Sequence, residues 1–234
     1  MSKKQINDSA KKVVKKRTKL TLLKIIFLVI LLFLVNLYII LGLIYRGENF
    51  TITLDSEYGR ESGLVIYEDP NDKRPRTYLR SDDIDYFTDI SVNWLPQNIH
   101  NEANGSHNGR NYIAYTFYAE NQGQDTINYW TTIVIDDVIK DVDDAIRVML
   151  YKNDERVIYA KPSNVTGQPE PGTVAFHSED TVMLHCNEQF KVGDIDKYTV
   201  VIWVEGDDRE CLDNLIGGEI KMHMRLTEEH IQQE

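Results

Sequence analysis

The longest apolar run of the chain lies near its N-terminus. Ile25–Tyr45 contains no charged residue, and Asn36 is its most polar member. Roughly 20 apolar residues in a helix cross the ~30 Å hydrocarbon core of a bilayer. A cleaved signal peptide has a shorter apolar stretch followed by small residues, and the sequence after Leu43 offers no such cleavage site. The pattern therefore predicts a single transmembrane helix that is kept as a signal anchor.

From Phe50 onward, short runs of β-branched and aromatic residues alternate with turn signals. Such runs predict strands, and many short strands with regular turns are typical of a sandwich or jelly roll. The predicted strands are Phe50–Leu54, Leu64–Tyr67, Asp89–Leu95, Asn111–Asn121, Ile127–Ile135, Ile146–Tyr151, Arg156–Tyr159, Thr181–His185, Tyr198–Glu205 and Gly218–Leu226. We therefore expect an all-β domain, with at most one or two helical turns in Glu210–Ile216.

The clearest predicted hairpin is formed by Asn111–Asn121 and Ile127–Ile135. In the first strand apolar side chains alternate, and the connecting sequence supplies an Asn and a Gly, the residues that tolerate positive φ. Three segments are predicted to be loops. Glu68–Arg80 is charged and contains prolines, Gln97–Arg110 lacks apolar periodicity and is expected to be mobile, and Lys161–Gly172 is a proline-rich connection.

Charge is divided sharply along the chain. Residues 1–24 carry nine Lys or Arg side chains and one acid, Asp8, which makes this segment +8. The whole chain carries −11, so residues 25–234 carry −19. By the positive-inside rule the N-terminus is cytoplasmic and the remainder is exported. We predict a cytoplasmic tail (1–24), a span (25–45) in contact with membrane lipid, and an extracellular domain (46–234) whose charge opposes nucleic-acid binding.

Clustered carboxylates follow the buried run Val200–Val204. Glu205, Asp207, Asp208 and Asp213 lie on one short loop, and carboxylates on a turn are the ligands that a hard cation such as calcium requires. The spacing is not that of an EF-hand, so a solvated acidic turn that caps a short helix is the alternative. A second acidic loop holds Asp136, Asp137, Asp141, Asp143 and Asp144. No cofactor other than calcium is expected.

The two cysteines, Cys186 and Cys211, both belong to the predicted exported part. An oxidising compartment permits a disulfide between them, and two free buried thiols are the alternative. Catalytic signatures are absent from the sequence: it contains no H-E-x-x-H, no G-x-S-x-G and no phosphate-binding loop. His185 and Cys186 are adjacent in a predicted strand, so their side chains point to opposite faces and cannot act as a base and nucleophile pair. We therefore predict that the protein is not an enzyme.

Two segments resemble a known family. The run YTVVIWVEGDDREC followed by IGGEIKM, and the segment NYIAYTFYAENQGQDTINYW, are similar to sequences of small surface proteins of Gram-positive bacteria that are distantly related to the TasA/camelysin biofilm-matrix proteins. This resemblance implies a jelly-roll domain, an extracellular location and, for the matrix members, assembly by strand exchange. Those members are released by signal cleavage, whereas this chain is predicted to keep its anchor.

The preferred functional hypothesis is a structural or interaction module at the cell envelope that binds a protein partner or its own copies. The candidate strand for self-association consists of Phe50, Thr51, Ile52, Thr53 and Leu54, and the alternative is that it pairs within its own domain. A second hypothesis is a ligand- or calcium-binding sensory domain that works with a signalling partner. A third is a hydrolase that uses the Glu205 and Asp207 carboxylates.

Overall fold

The computed structural model describes residues 21–41, 49–55, 63–84 and 88–229. The chain divides into two units between Gly47 and Glu48. In the first unit, Thr21–Leu41 forms one helix that is long and apolar enough to cross a membrane. The Asn36 side-chain amide donates to the Leu32 carbonyl at 2.9 Å, so the helix itself satisfies this polar group. Residues 1–20 of the basic tail, and the predicted end of the span at 42–45, lie outside the described residues.

The second unit contains twelve strands and four single-turn 3-10 helices among its described residues. The strands are β1 (Phe50–Leu54), β2 (Leu64–Tyr67), β3 (Tyr78–Arg80), β4 (Gly105–Ser106), β5 (Ile113–Asn121), β6 (Ile127–Ile139), β7 (Ile146–Lys152), β8 (Glu155–Ala160), β9 (Val174–Ala175), β10 (Thr181–Phe190), β11 (Ile195–Val204) and β12 (Glu219–Glu229). The 3-10 helices are Val92–Trp94, Ile99–Asn101, Val142–Asp144 and Asp213–Leu215. The prediction of an all-β domain preceded by one N-terminal helix is confirmed.

The strands form two sheets that share one hydrophobic core. Five strands follow the order β10-β6-β12-β1-β3, and seven form the other sheet in the order β2-β5-β11-β7-β8-β9, with β4 paired to β5. Ile133 and Met224 from the first sheet belong to the same buried cluster as Phe117 and Val200 from the second. The core therefore lies between two facing sheets, as in a β-sandwich.

The outer face of the seven-stranded sheet is also covered. Ile90, Leu95 and Ile99 pack against Met149 and Trp203 in a second buried cluster. This explains why β7 and β11 are buried on both faces and read as continuous apolar runs rather than alternating ones. The cover corrects two predictions. Asp89–Leu95 is not a strand: it makes a single bridge from Ile90 to Glu205, the residue that follows β11, and then forms a 3-10 turn. The loop Gln97–Arg110, expected to be mobile, packs on the sheet through Ile99.

The predicted hairpin of Asn111–Asn121 and Ile127–Ile135 is wrong, although both strands exist. β5 pairs with β11, β2 and β4, whereas β6 pairs with β10 and β12, so the turn between them crosses from one sheet to the other. Gly123 is needed in this turn for close approach and not for positive φ. A Cβ on the facing Gly63 would lie 2.5 Å from the Gly123 Cα atom. By contrast, the predicted strands Ile146–Tyr151 and Arg156–Tyr159 do pair as a hairpin, β7–β8, with Asn153 at φ 55° in its turn.

The candidate strand for self-association, Phe50–Leu54, is an interior strand of the five-stranded sheet. β1 pairs in parallel with β12 and antiparallel with β3. Its backbone is bonded on both sides: Ser81 N donates to Phe50 O at 3.0 Å, and Asp55 N donates to Leu226 O at 2.8 Å. The Phe50 and Ile52 side chains are fully buried. This strand therefore belongs to its own domain, which is one of the two alternatives that the sequence left open, and the candidate role in pairing with another chain is corrected.

A buried polar network joins the two sheets at the end where β11 begins. The Tyr129 hydroxyl on β6 donates to the Asp196 carboxylate on β11 and lies 2.7 Å from the Tyr198 hydroxyl. Lys152 Nζ on β7 lies 3.2 Å from the same carboxylate. Burial, with the Asp196 carboxylate adding to it, raises the pKa of Tyr129, so its hydroxyl remains a protonated donor. Because these polar groups have partners, burying them does not carry the full cost of desolvation.

Candidate functional site

The acidic loop that follows β11 is held by backbone hydrogen bonds at one end of the sandwich. Glu205 N donates to Ala145 O at 2.9 Å, and Gly206 N donates to Ile90 O at 3.0 Å. Gly206 permits a close approach here, because a Cβ at this position would lie 2.6 Å from an Asp89 carboxylate oxygen. The loop is therefore fixed between the start of β7 and the segment that covers the outer face of the sheet.

A buried ion pair lies directly behind this loop. The Arg147 guanidinium on β7 donates to the Asp208 carboxylate, and the two side chains are only 3% and 4% exposed. The second Asp208 oxygen accepts from Glu210 N at 2.7 Å, and the guanidinium also donates to the Ile146 carbonyl at 3.1 Å. A buried charge is tolerated when it is both paired and hydrogen-bonded, as both of these groups are. The pair therefore fixes the acidic loop to the sheet.

Glu205 connects three parts of the site through its carboxylate. One oxygen accepts from the Trp203 indole N–H at 3.0 Å and from Val92 N at 3.0 Å, and the other accepts from Asp207 N at 3.3 Å. Next to it, the Asp207 carboxylate accepts from the Ser91 hydroxyl at 2.7 Å and remains exposed. Glu205 is thus a structural acceptor, whereas Asp207 faces solvent.

A groove of about 190 Å³ opens over the ion pair. One wall is the turn that contains Val92 together with Asp207, and the other is the Glu170–Thr173 segment before β9. Arg147, Trp203 and Ile158 also line it. Because Asp208 neutralises the Arg147 charge, the remaining carboxylates of Glu170, Glu205 and Asp207 give the groove a negative potential. The arrangement is suited to binding a positively charged group.

The structure brings all four predicted calcium ligands to this end of the sandwich but does not arrange them around an ion. Asp208 is paired with Arg147, Glu205 accepts protein donors, and Asp213 is exposed on a separate 3-10 turn. Over the described ranges, the structure contains no group of three or more His, Cys, Asp or Glu side chains that could hold a metal. The interpretation of Glu205, Asp207, Asp208 and Asp213 as a calcium site is corrected.

The carboxylates of the second acidic loop contact basic side chains. Lys161 Nζ lies 2.6 Å from oxygens of both Asp143 and Asp144, and Asp136 lies 2.8 Å from His223 Nδ1. Burial opposes the Lys161 charge, but hydrogen bonds to the two carboxylates outweigh this and raise the pKa of Lys161. These carboxylates therefore anchor the start of the 161–173 connection, whose later part forms a wall of the groove.

Cys186 and Cys211 are both free thiols, which is one of the two alternatives that the sequence left open, and the candidate disulfide is corrected. Cys186 lies on β10 opposite Trp130 of β6, in the five-stranded sheet. Cys211 packs against the main core behind the acidic loop. Burial raises the pKa of the Cys211 thiol, and the nearby Asp89 and Asp208 carboxylates add to this effect. A raised pKa keeps the thiol protonated and hence weakly nucleophilic.

Sequence reasoning identified the acidic loop but missed the residues that complete the groove. Arg147 lies in a predicted strand, and Glu170 lies in a predicted connection, far from the loop in sequence. One signal was available for Arg147, because an arginine inside an otherwise apolar strand requires a buried acidic partner. Nothing in the sequence indicated which of the many acids that partner is.

No protein-family model matches the chain, and no curated protein does either. Among solved structures, the chain is similar to two crystal structures of beta-glucosidase from Kluyveromyces marxianus, one in complex with glucose. The identities are 12% and 11%, and the TM-score is 0.23 for both. The match covers 69% of this chain but only 15% and 16% of those chains. The class that the structure itself defines is an all-β protein with one N-terminal apolar helix.

Proposed function

We propose that this protein is a single-span membrane protein whose exported β-sandwich is a binding module of the cell envelope, and that the acidic groove receives a positively charged side chain of a protein partner. The groove above the Arg147–Asp208 pair is the observation that carries the binding role. The apolar helix and the +8 tail support anchoring with the N-terminus in the cytoplasm.

The size and charge of the groove favour a side chain over a complete small ligand. Small-molecule pockets commonly have volumes of about 300–1,000 Å³, whereas this groove has about 190 Å³. A lysine or arginine side chain brings an apolar stem, which suits Val92 and Ile158, and a cationic head, which suits Asp207 and Glu170. The sensory alternative, in which the domain encloses a small ligand, takes second place for this reason.

Binding also accounts for the site better than catalysis. A general acid or base must reach its substrate, and the Glu205 carboxylate is already occupied by the Trp203 indole and the Val92 amide. Self-association through Phe50–Leu54 is not part of the proposal, because that strand is flanked on both sides within its own sheet. The proposed partner is therefore an envelope protein that presents a cationic side chain to the groove, and not one that pairs with β1.

Site-specific photo-cross-linking in intact membranes tests this function. A photoreactive amino acid at Thr173, on the groove wall, is expected to give a discrete adduct, whereas one at the exposed Glu188 of β10 is not. The double variant Glu170→Gln, Asp207→Asn should lose the Thr173 adduct because it removes the charge of two carboxylates that line the groove. Glu188→Gln is the matched control and should retain it. An adduct that survives the double variant unchanged would contradict the proposed groove.

A further inference from the structure

The most exposed large apolar side chains of the sandwich are not scattered over its surface. Outside the N-terminal helix, four described residues of this kind are at least 60% exposed: Trp94, Val165, Leu212 and Ile216. They lie on three separate loops and share no strand. Single exposed apolar residues are ordinary, but their concentration in one region of a surface marks an interaction site.

All four lie at the end of the sandwich where the chain enters it, which we name the tether end. Phe50, the first residue of β1, pairs with Met222 near the start of β12. Glu219, the first residue of β12, pairs with Ile139 at the end of β6. The end of β11 pairs with Ile146 at the start of β7. The loops that leave these strand ends, 140–145 and 205–218, therefore lie at the same end as Asn49.

Hydrogen bonds attach each exposed side chain to that end. Trp94 lies in the turn whose Val92 N donates to Glu205. Val165 follows Asn164, whose N–H donates to the Glu210 carboxylate at 2.8 Å. The Ile216 carbonyl accepts from Lys140 Nζ at 2.6 Å. Leu212 N donates to Glu210 O at 3.0 Å.

The short connection to the apolar helix indicates which partner the exposed apolar side chains of the tether end contact. The described part of the helix ends at Leu41 and the described part of the sandwich begins at Asn49. Eight Cα steps, fully extended, span at most about 29 Å. Because the sandwich begins at Asn49, the connection from the apolar helix attaches to the sandwich at the tether end. Exposed tryptophan and aliphatic side chains are the residues that insert into a bilayer interface.

Resting on the proposed membrane anchoring, we propose that Trp94, Val165, Leu212 and Ile216 insert into the interface of the membrane in which the chain is anchored. The acidic side chains of the loops at the tether end, among them Asp141, Asp207 and Asp213, oppose an anionic surface. The docking is therefore driven by apolar insertion, and anionic lipid weakens it. A polybasic surface would respond in the opposite way, because anionic lipid would strengthen its binding.

Quenching of tryptophan fluorescence by brominated lipid tests this docking in the full-length protein. The chain has three tryptophans, and none lies in the apolar helix. Trp203 is fully buried and Trp130 is partly buried, so Trp94 is the residue available to lipid. In phosphatidylcholine vesicles with brominated acyl chains, we expect clear quenching of the wild-type chain. The Trp94→Phe substitution should remove the quenched component of the fluorescence. In the wild-type chain, adding phosphatidylglycerol to the vesicles should reduce the quenching.

A matched pair of variants separates insertion from general surface effects. Leu212→Ser, Ile216→Ser should reduce quenching of Trp94 by at least about half. Val192→Ser, at an exposed apolar position in the turn at the opposite end, should leave it unchanged. Far-ultraviolet circular dichroism confirms that each variant is folded, and exposed substitutions of this kind change stability little.

Vesicle flotation distinguishes the two proposals. A chain that floats with the vesicles but shows equal quenching in the wild type and in Trp94→Phe overturns the docking and leaves the anchoring intact. A chain that does not float overturns both. Quenching that increases with phosphatidylglycerol also contradicts the docking, because it would assign the attraction to charge rather than to apolar insertion.

Discussion

Replacing Arg147 with methionine removes the positive charge that faces the buried Asp208 carboxylate. Methionine retains much of the apolar volume of the arginine stem, so the main change is the loss of the ion pair. The Asp208 side chain is 4% exposed, and after the substitution its remaining hydrogen bond from the described residues is the one from Glu210 N. Removing one partner of such a pair costs about 3–5 kcal/mol. For a domain of this size that corresponds to a fall in Tm of roughly 6–20 °C.

The double variant Arg147→Met, Asp208→Asn provides the test of mechanism. Asparagine keeps an oxygen that can accept from Glu210 N but carries no charge, so we expect the double variant to recover a large part of the stability lost in the single one. Denaturant unfolding of the wild type, both single variants and the double variant gives the coupling energy. A loss of less than about 1 kcal/mol in Arg147→Met would show that water screens the pair, and it would refute the reasoning.

The buried Phe50, the hydrogen-bonded Glu120 and the acidic loop can each be tested in solution. Phe50→Ala should cost about 3–5 kcal/mol in denaturant unfolding, because this core side chain is fully buried; a loss below 1 kcal/mol would contradict an interior β1. Burial opposes the Glu120 charge, but hydrogen bonds from Tyr67 and Lys73 lower its pKa below 4.5. Glu120→Gln should therefore be less stable than wild type at pH 7, and the difference should vanish as pH falls through the lowered pKa. Excess calcium should leave the Tm unchanged in a thermal scan.

The sequence predicted the local elements of the fold better than their pairing. The β7–β8 hairpin was predictable because the turn lies between its two strands and Asn153 tolerates positive φ. The same reasoning failed for β5 and β6, because turn residues and alternation do not determine whether a chain folds back or crosses to a second sheet. β1 could not be placed either, since its partner β12 lies at the other end of the chain.

The candidate site was predictable only in part, for a related reason. The acidic loop is contiguous in sequence, so Glu205, Asp207 and Asp208 could be identified as a cluster. Whether such carboxylates hold a cation depends on the groups that face them. The group that faces Asp208 is Arg147, which lies 61 positions away in sequence, so the sequence alone did not indicate their pairing. The segment that covers the outer face of the seven-stranded sheet was not predicted. The spacing of its buried residues, Ile90, Leu95 and Ile99, matches neither the period of two of a strand nor the 3.6-residue period of a helix.

The central claim, an anchored chain with its sandwich outside the cell, is tested most directly by thiol labelling in intact cells. In a background with Cys186→Ser and Cys211→Ser, a single cysteine replaces either Ser2 in the basic tail or Asp154 in the β7–β8 turn, whose side chain is 93% exposed. A membrane-impermeant maleimide should label Asp154→Cys in intact cells and Ser2→Cys only after lysis. The account is contradicted if Asp154→Cys is labelled only after lysis, or if the mature chain lacks the residues before position 46.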